Sequence, residues 1–211
     1  MTPERIGNAE LYLGDCSEVL QTIGDRKIDV VATDPPYGRK DSHHYSSGTR
    51  KHKRYKPLAG DDQPFDPEPW LAYPKVVLWG YHCFADRLPA GTVLVWYKRK
   101  PDWKPFLSDG ELAWQKGGGG VYVFSHLWHG THRESEKGEY HHPTQKPVAL
   151  WRWVLGRMKL EQGATVLDPY MGSGSCGLAC AEMGLRYIGV EIEPVHYETA
   201  VNRLRSVFAT S

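Results

Sequence analysis

The 211-residue sequence has no apolar run approaching the roughly 18 to 20 residues that a membrane-spanning helix needs. Its opening, MTPERIGNAELYLGD, lacks the apolar centre of a secretion signal, so no membrane partner and a cytoplasmic location are expected. Cysteine is scarce: Cys16, Cys83, Cys176 and Cys180 are scattered apart from the last pair. That usage excludes a disulfide framework and suits a reducing compartment. Cys176 and Cys180 stand one helical turn apart, but no His or Cys pair at zinc-ligand spacing accompanies them. No metal is therefore expected. Net charge is only +1, so overall charge does not announce nucleic acid. Repeats are absent, and the one low-complexity tract is the run of four glycines at 117–120.

What is present is a globular composition, 40% hydrophobic and 24% charged, of a length that fits one domain over 1–211. Eight tryptophans and twelve tyrosines point to a rich core, with some free to stack on nucleobases. Charge is uneven along the chain. Residues 38–56, GRKDSHHYSSGTRKHKRYK, hold Arg39, Lys40, Arg50, Lys51, Lys53, Arg54 and Lys56 against a single acid, Asp41. With no apolar periodicity, 38–66 reads as a basic loop suited to gripping phosphates.

Short apolar runs alternate with helical patterns, which predicts an α/β domain. Strands are expected at 11–14, 28–34, 91–98, 164–169 and 186–192. Helices are expected at 16–23 with Ser17 as N-cap, at 70–87 after Pro69, at 147–158, at 175–183 and at 194–208. The segments 111–115 and 121–128 read as two arms of a hairpin across KGGGG, forming an antiparallel edge to a mostly parallel twisted sheet.

The strongest local pattern is TVLDPYMGSGSCGLACAEMGLRYIGVEIEP, in which Gly172, Gly174 and Gly177 satisfy G-x-G-x-x-G between a strand and a helix. Glu191 ends the next strand, where an acid can accept two hydrogen bonds from a ribose diol. NAD and S-adenosylmethionine both carry that diol. Asp168 tilts the choice, because a carboxylate at the first strand's mouth opposes a pyrophosphate and suits a sulfonium and an ammonium.

Asp34-Pro35-Pro36-Tyr37 follows a buried strand, at the sheet edge where α/β folds bind ligands. An exocyclic amino group on a base is a poor nucleophile, because its lone pair is delocalised into the ring. The Asp34 carboxylate and the Pro35 carbonyl can accept its two N–H bonds and turn the lone pair outward. The prolines restrict the backbone that carries that carbonyl, and Tyr37 offers a ring for stacking. Both acceptors also stabilise the positive charge that develops on nitrogen.

These motifs resemble the DNA amino-methyltransferases that make N6-methyladenine or N4-methylcytosine. The resemblance runs through LGDCSEVL (13–20), TDPPYG (33–38), LVWYKR (94–99), HPTQKPVAL (142–150), LDPYMGSGS (167–175) and GVEIEP (189–194). Their order resembles the permuted β subclass, implying a Rossmann-like, circularly permuted methyltransferase fold with S-adenosylmethionine as cofactor. On that likeness Asp34, Pro35, Pro36 and Tyr37 would be catalytic, with Asp34 also beside the cofactor. Asp15 and Cys16 would contact the cofactor's adenine, and Glu191 its ribose. His142, Lys146, Asp168, Pro169, Gly172, Ser173, Gly174 and Ser175 would surround its methionine part, with Lys146 on the carboxylate. The partner would be double-stranded DNA with the target base flipped out, and a homodimer is the expected assembly. Lys98, Arg99 and Lys100 would add phosphate contacts. Target recognition would fall in a short 100–141 region that includes Trp103, Gln115, His129, Thr131, His132, Arg133 and Glu134. An aspartate in the tetrapeptide favours adenine N6 over cytosine N4. A non-catalytic DNA-binding regulator and an NAD-dependent oxidoreductase are the alternatives, and a restriction-modification, orphan or phage-borne role stays open.

Overall fold

A computed structural model describes residues 1–38, 60, 62–99 and 108–209. The basic segment at 39–56, together with Lys100 and Trp103, lies outside the described residues, so the expectations for Arg39, Lys40, Arg50, Lys51, Lys53, Arg54 and Lys56 fall there too.

In chain order the elements are β1 (Glu4–Ile6), β2 (Ala9–Leu13), α1 (Cys16–Ile23), β3 (Val30–Thr33), β4 (Val76–Trp79), β5 (Gly91–Tyr97), β6 (Gly110–Ser125) and β7 (Trp128–His129). There follow β8 (His132–Arg133), α2 (Val148–Arg157), β9 (Thr165–Asp168), α3 (Ser175–Glu182), β10 (Arg186–Glu191) and α4 (Pro194–Phe208). The main sheet runs β1-β2-β10-β9-β3-β4-β6-β5. β2, β10, β9, β3 and β4 are mutually parallel, while β1 joins β2 and β6 joins β4 in antiparallel fashion. The mostly parallel α/β sheet is thus as the sequence predicts.

Central strands read as continuous apolar runs because both faces are covered. Alternate residues feed opposite cores. Val30, Ala32, Val77, Trp79 and Val166 share a cluster with Leu150, Trp151, Ala179, Cys180 and Leu204 from α2, α3 and α4. Val31, Val76, Leu78 and Leu167 face the other way, onto Val19 and Ile23 of α1 and onto Phe65, Trp70 and Phe84.

Three local expectations are corrected. The cap of α1 is Asp15, whose carboxylate accepts from Ser17 N at 2.8 Å; Ser17 is the residue capped. No helix fills 70–87. Glu68–Trp70 makes one 3-10 turn, Pro74 follows, and the β-branched run after it becomes β4 in mid-sheet. The two arms around KGGGG do not pair with each other. β5 pairs antiparallel with the first arm (Thr92 with Gln115, Val95 with Leu112) and parallel with the second (Val93 with Val121, Val95 with Val123). One long strand therefore clasps β5 on both edges. The glycine run crosses the start of β5, where Thr92 Oγ1 donates to the Gly117 carbonyl at 2.9 Å.

Candidate functional site

Four parallel strands deliver acids to one edge of the sheet: Asp15 beyond β2, Asp34 after β3, Asp168 ending β9 and Glu191 ending β10. The strand carrying the prolyl tetrapeptide is tied to the strand carrying the glycine loop. Thr33 Oγ1 donates to Asp168 Oδ1 at 2.6 Å, with both residues buried.

Asp34 is engaged at both oxygens. Tyr37 Oη donates to Oδ1 at 2.6 Å, and the Lys146 ammonium donates to Oδ2. Gly80, at φ 83°, leaves room for the Tyr37 ring, which a Cβ at that position would overlap. Lys146 comes from the loop before α2 with its side chain only 4% exposed. It reaches Glu111 Oε2 at 3.1 Å as well, and Lys98 Nζ closes the set on Glu111 Oε1 at 2.6 Å. Two half-buried carboxylates and a half-buried ammonium are thus gathered around the buried Lys146. Burial pushes the Glu111 carboxyl up, but Lys146 and Lys98 outweigh it and hold the group at about 2. Burial also pushes Asp34 up, and a lysine shared with Glu111 does not fully offset that. Burial opposes the charge on Lys146, yet its two carboxylates keep the ammonium above its ordinary value.

This geometry revises two expectations. Lys146 sits on Asp34 and Glu111, not free to await a ligand carboxylate. Lys98 points inward onto Glu111, so it is no phosphate contact, and Arg99 pairs with Asp109 at 2.8 Å. Glu111 itself escaped the sequence reading.

Around the glycine loop, Glu191 accepts from Gly172 N at 2.9 Å and from Glu193 N at 2.8 Å, which fixes its carboxylate at the strand end. Gly174 caps α3 at φ 76°, with its α-carbon face set against Ala200 of α4. Asp168 is more enclosed than expected. Its oxygens take Thr33, Tyr187 Oη at 3.0 Å and Tyr170 N at 3.4 Å, and burial raises the carboxyl to about 7. Its carboxylate is an internal latch between strands and does not open towards a sulfonium. The Ser173 and Ser175 hydroxyls accept from Arg203 at 3.2 and 3.0 Å, which holds them in place while each keeps its own O–H to donate. Arg203 continues to Glu136 at 3.0 Å, and Glu136 also accepts from Gln145 and from Val148 N. Glu136 thereby joins the glycine loop to the HPTQKP segment.

His142 lies over Gly172 and edge-on to His196 at 4.1 Å. Burial, with His196 and Lys146 adding, lowers it to about 3, so the ring is neutral. Cys16 Sγ points to Tyr170 Oη at 3.6 Å, and Tyr170 meets Phe65 and Trp70 edge-on. Cys16 and Tyr170 with this aromatic wall adjoin the start of the glycine loop, Glu191 is tied to Gly172 within it, and Asp15 caps α1 next to Cys16. A half-buried acid, a glycine turn and an aromatic wall suit a nucleoside, so these residues fit the cofactor the sequence implies. In the recognition region, Arg133 is structural. Its guanidinium lies between Trp128 (3.9 Å) and Tyr140 (4.2 Å) and donates to Gly130 and Glu139 carbonyls.

A family model described as "DNA methylase" matches residues 91–202. The type II methyltransferase M.HpaI of Haemophilus parainfluenzae is 37% identical over 89 residues, which cover 42% of this chain and only 26% of that protein. YubD of Escherichia coli K12, named as a methylase, is 26% identical over 92% of this chain and 89% of its own length. Among solved structures, the M1.HpyAVI–SAM complex superposes with a TM-score of 0.65 at 21% identity, covering 93% of this chain and 98% of that one. The cytosine-N4-specific PvuII DNA methyltransferase superposes with a TM-score of 0.63 at 17% identity, covering 99% and 94%. At these identities the two superpositions speak for the fold.

Proposed function

Because this chain belongs to the DNA methylase family of the N6/N4 type, we propose that it transfers a methyl group from S-adenosylmethionine to a base amino group in double-stranded DNA, adenine N6 in preference to cytosine N4. One observation carries the reading. The Thr33–Asp168 hydrogen bond of 2.6 Å binds the strand end that bears Asp34 to the one that opens the glycine loop, so acceptor and cofactor cradle are neighbours.

S-adenosylmethionine, when bound, supplies a methyl group on a sulfonium as the electrophile. Glu191 would hold its ribose, Asp15 and Cys16 its adenine, and His142 with the main chain of 168–175 its methionine part. Asp34 and the Pro35 carbonyl accept the two N–H bonds of the flipped base, which frees the lone pair and offsets the charge forming on nitrogen. Tyr37, tied to Asp34 through its hydroxyl, presents its ring to the base. The proton leaves after transfer, so no strong base is required. The basic residues of 39–56 hold the DNA backbone.

Adenine is favoured because the tetrapeptide opens with Asp34; the fold shared with a cytosine-N4 enzyme keeps N4 as the second reading. The test is plasmid DNA incubated with tritiated S-adenosylmethionine, then digested to nucleosides and resolved by mass spectrometry. N6-methyladenine is expected, and N4-methylcytosine would move the assignment to the second reading. Asp34→Ala should cut incorporation by roughly 100-fold or more, with calorimetry showing cofactor affinity within a few-fold of wild type. An unlabelled plasmid, or full activity in D34A, overturns the proposal.

A further inference from the structure

We infer that Glu111 is a positioning residue for methyl transfer, holding the Lys146 ammonium when Asp34 turns to the target amino group. The inference rests on the reading above, and begins from the donors around Asp34. Both of its oxygens already have donors: the Tyr37 hydroxyl on one and Lys146 on the other. Each oxygen has a second lone pair for an incoming amino group, which then lies beside one of these donors. Lys146 is the costly neighbour. It is a cation beside a nitrogen that becomes positive as the methyl transfers, and the two charges would repel in a buried site. Leaving for solvent is also unfavourable, because the side chain is 4% exposed and packed near the Trp79 and Tyr37 rings at 5.6 and 6.0 Å.

Glu111 resolves both problems. It already reaches Lys146 at 3.1 Å, and its other oxygen is fixed by Lys98 at 2.6 Å. Lys146 can therefore shift its weight from one carboxylate to the other without losing its counter-charge. Glu111 lies on β6, paired beside β4, and so stands on the scaffold and not on the mobile side of the exchange. Without its charge, Lys146 has only Asp34 to neutralise it and competes with the base.

The test compares wild type, Glu111→Gln, Glu111→Asp, Lys146→Met and the E111Q/K146M pair, each measured for methyl transfer to plasmid DNA at saturating S-adenosylmethionine and for cofactor affinity by calorimetry. E111Q is expected to lower kcat about ten-fold or more, the scale of coupling between touching groups, with KM and Kd for the cofactor within about two-fold. E111D, which keeps the charge, should recover most of the rate. In the K146M background, the E111Q change should cost little kcat, since the Lys146 ammonium is gone and Lys98 touches only Glu111 in this set. Should E111Q alone melt early, E111D against wild type and the K146M pair, in which opposite charges leave together, still decide the matter. An E111Q rate within two-fold of wild type, an E111D as slow as E111Q, or an equal E111Q cost with and without Lys146 overturns the inference. A wild-type protein that labels no DNA sinks the underlying methyltransferase reading, and this inference with it.

Discussion

Asp168 shows how far a single side chain departs from what its motif suggests. The sequence places an acid at the mouth of a nucleoside loop, and that much is correct. Its carboxylate, however, is turned onto Thr33 and Tyr187, where burial raises it to about 7. A raised carboxyl keeps its proton in the folded protein while the unfolded chain loses it from pH 3.8 upward. Its stabilising contribution is therefore complete below pH 3.8 and is lost as pH rises through 7, by at most about 4 kcal/mol. Asp168→Asn keeps an acceptor for Thr33 and removes the ionisation. It should melt above wild type at pH 8, by a margin that shrinks as pH falls through 5 towards 4; an offset equal at pH 8 and pH 5 would contradict this account. The same contrast runs through the site. Asp34 and Tyr37 were legible as candidates because their tetrapeptide follows a buried strand, and the structure joins the two side chains directly. Glu111 was not, because E-L-A-W-Q reads as plain strand, and only the pairing of β6 with β4 brings it to Asp34's lysine. Lys98 was misread because a strand-end lysine does not reveal in sequence which way it turns.

At the scale of elements, the glycine loop is held from behind. Gly174 sits at φ 76°, and a Cβ there would stand 3.0 Å from the Ala200 Cβ on α4. Gly174→Ala combines left-handed strain with overpacking, a loss of about 1–3 kcal/mol, and should lower Tm by roughly 3–10 °C in a domain of this size. Adding Ala200→Gly should return little of the loss in thermal melts, because glycine inside α4 costs about 1 kcal/mol and the Ala200 Cα still stands 3.2 Å from the new Cβ; full recovery would contradict this account. α2, α3 and α4 were legible from helical patterns, with Pro147 and Pro194 marking two starts, and β3, β9 and β10 from their apolar runs. The predicted 70–87 helix failed because Pro74 interrupts it and a β-branched run follows. The predicted hairpin failed because four glycines span farther than a two-residue turn and can carry the chain over a neighbouring strand.

Over the whole molecule, chemistry gathers at one sheet edge while net charge stays near neutral. DNA affinity should therefore come from local positive charge. Replacing Lys51, Lys53 and Arg54 by alanine should reduce the slope of log K against log salt by up to about 3, near 0.9 for each phosphate that is no longer neutralised. An unchanged slope in a filter-binding titration would move the DNA grip elsewhere. The far end of the sheet has its own behaviour, set by the clasp of β6 around β5. Amides on both flanks of β5 are locked by one continuous segment, so neither flank can open without the other. In deuterium uptake, Val93 and Val95 should exchange in step with Ala113 and Val123, as one cooperative unit distinct from the fraying expected of an ordinary outer strand.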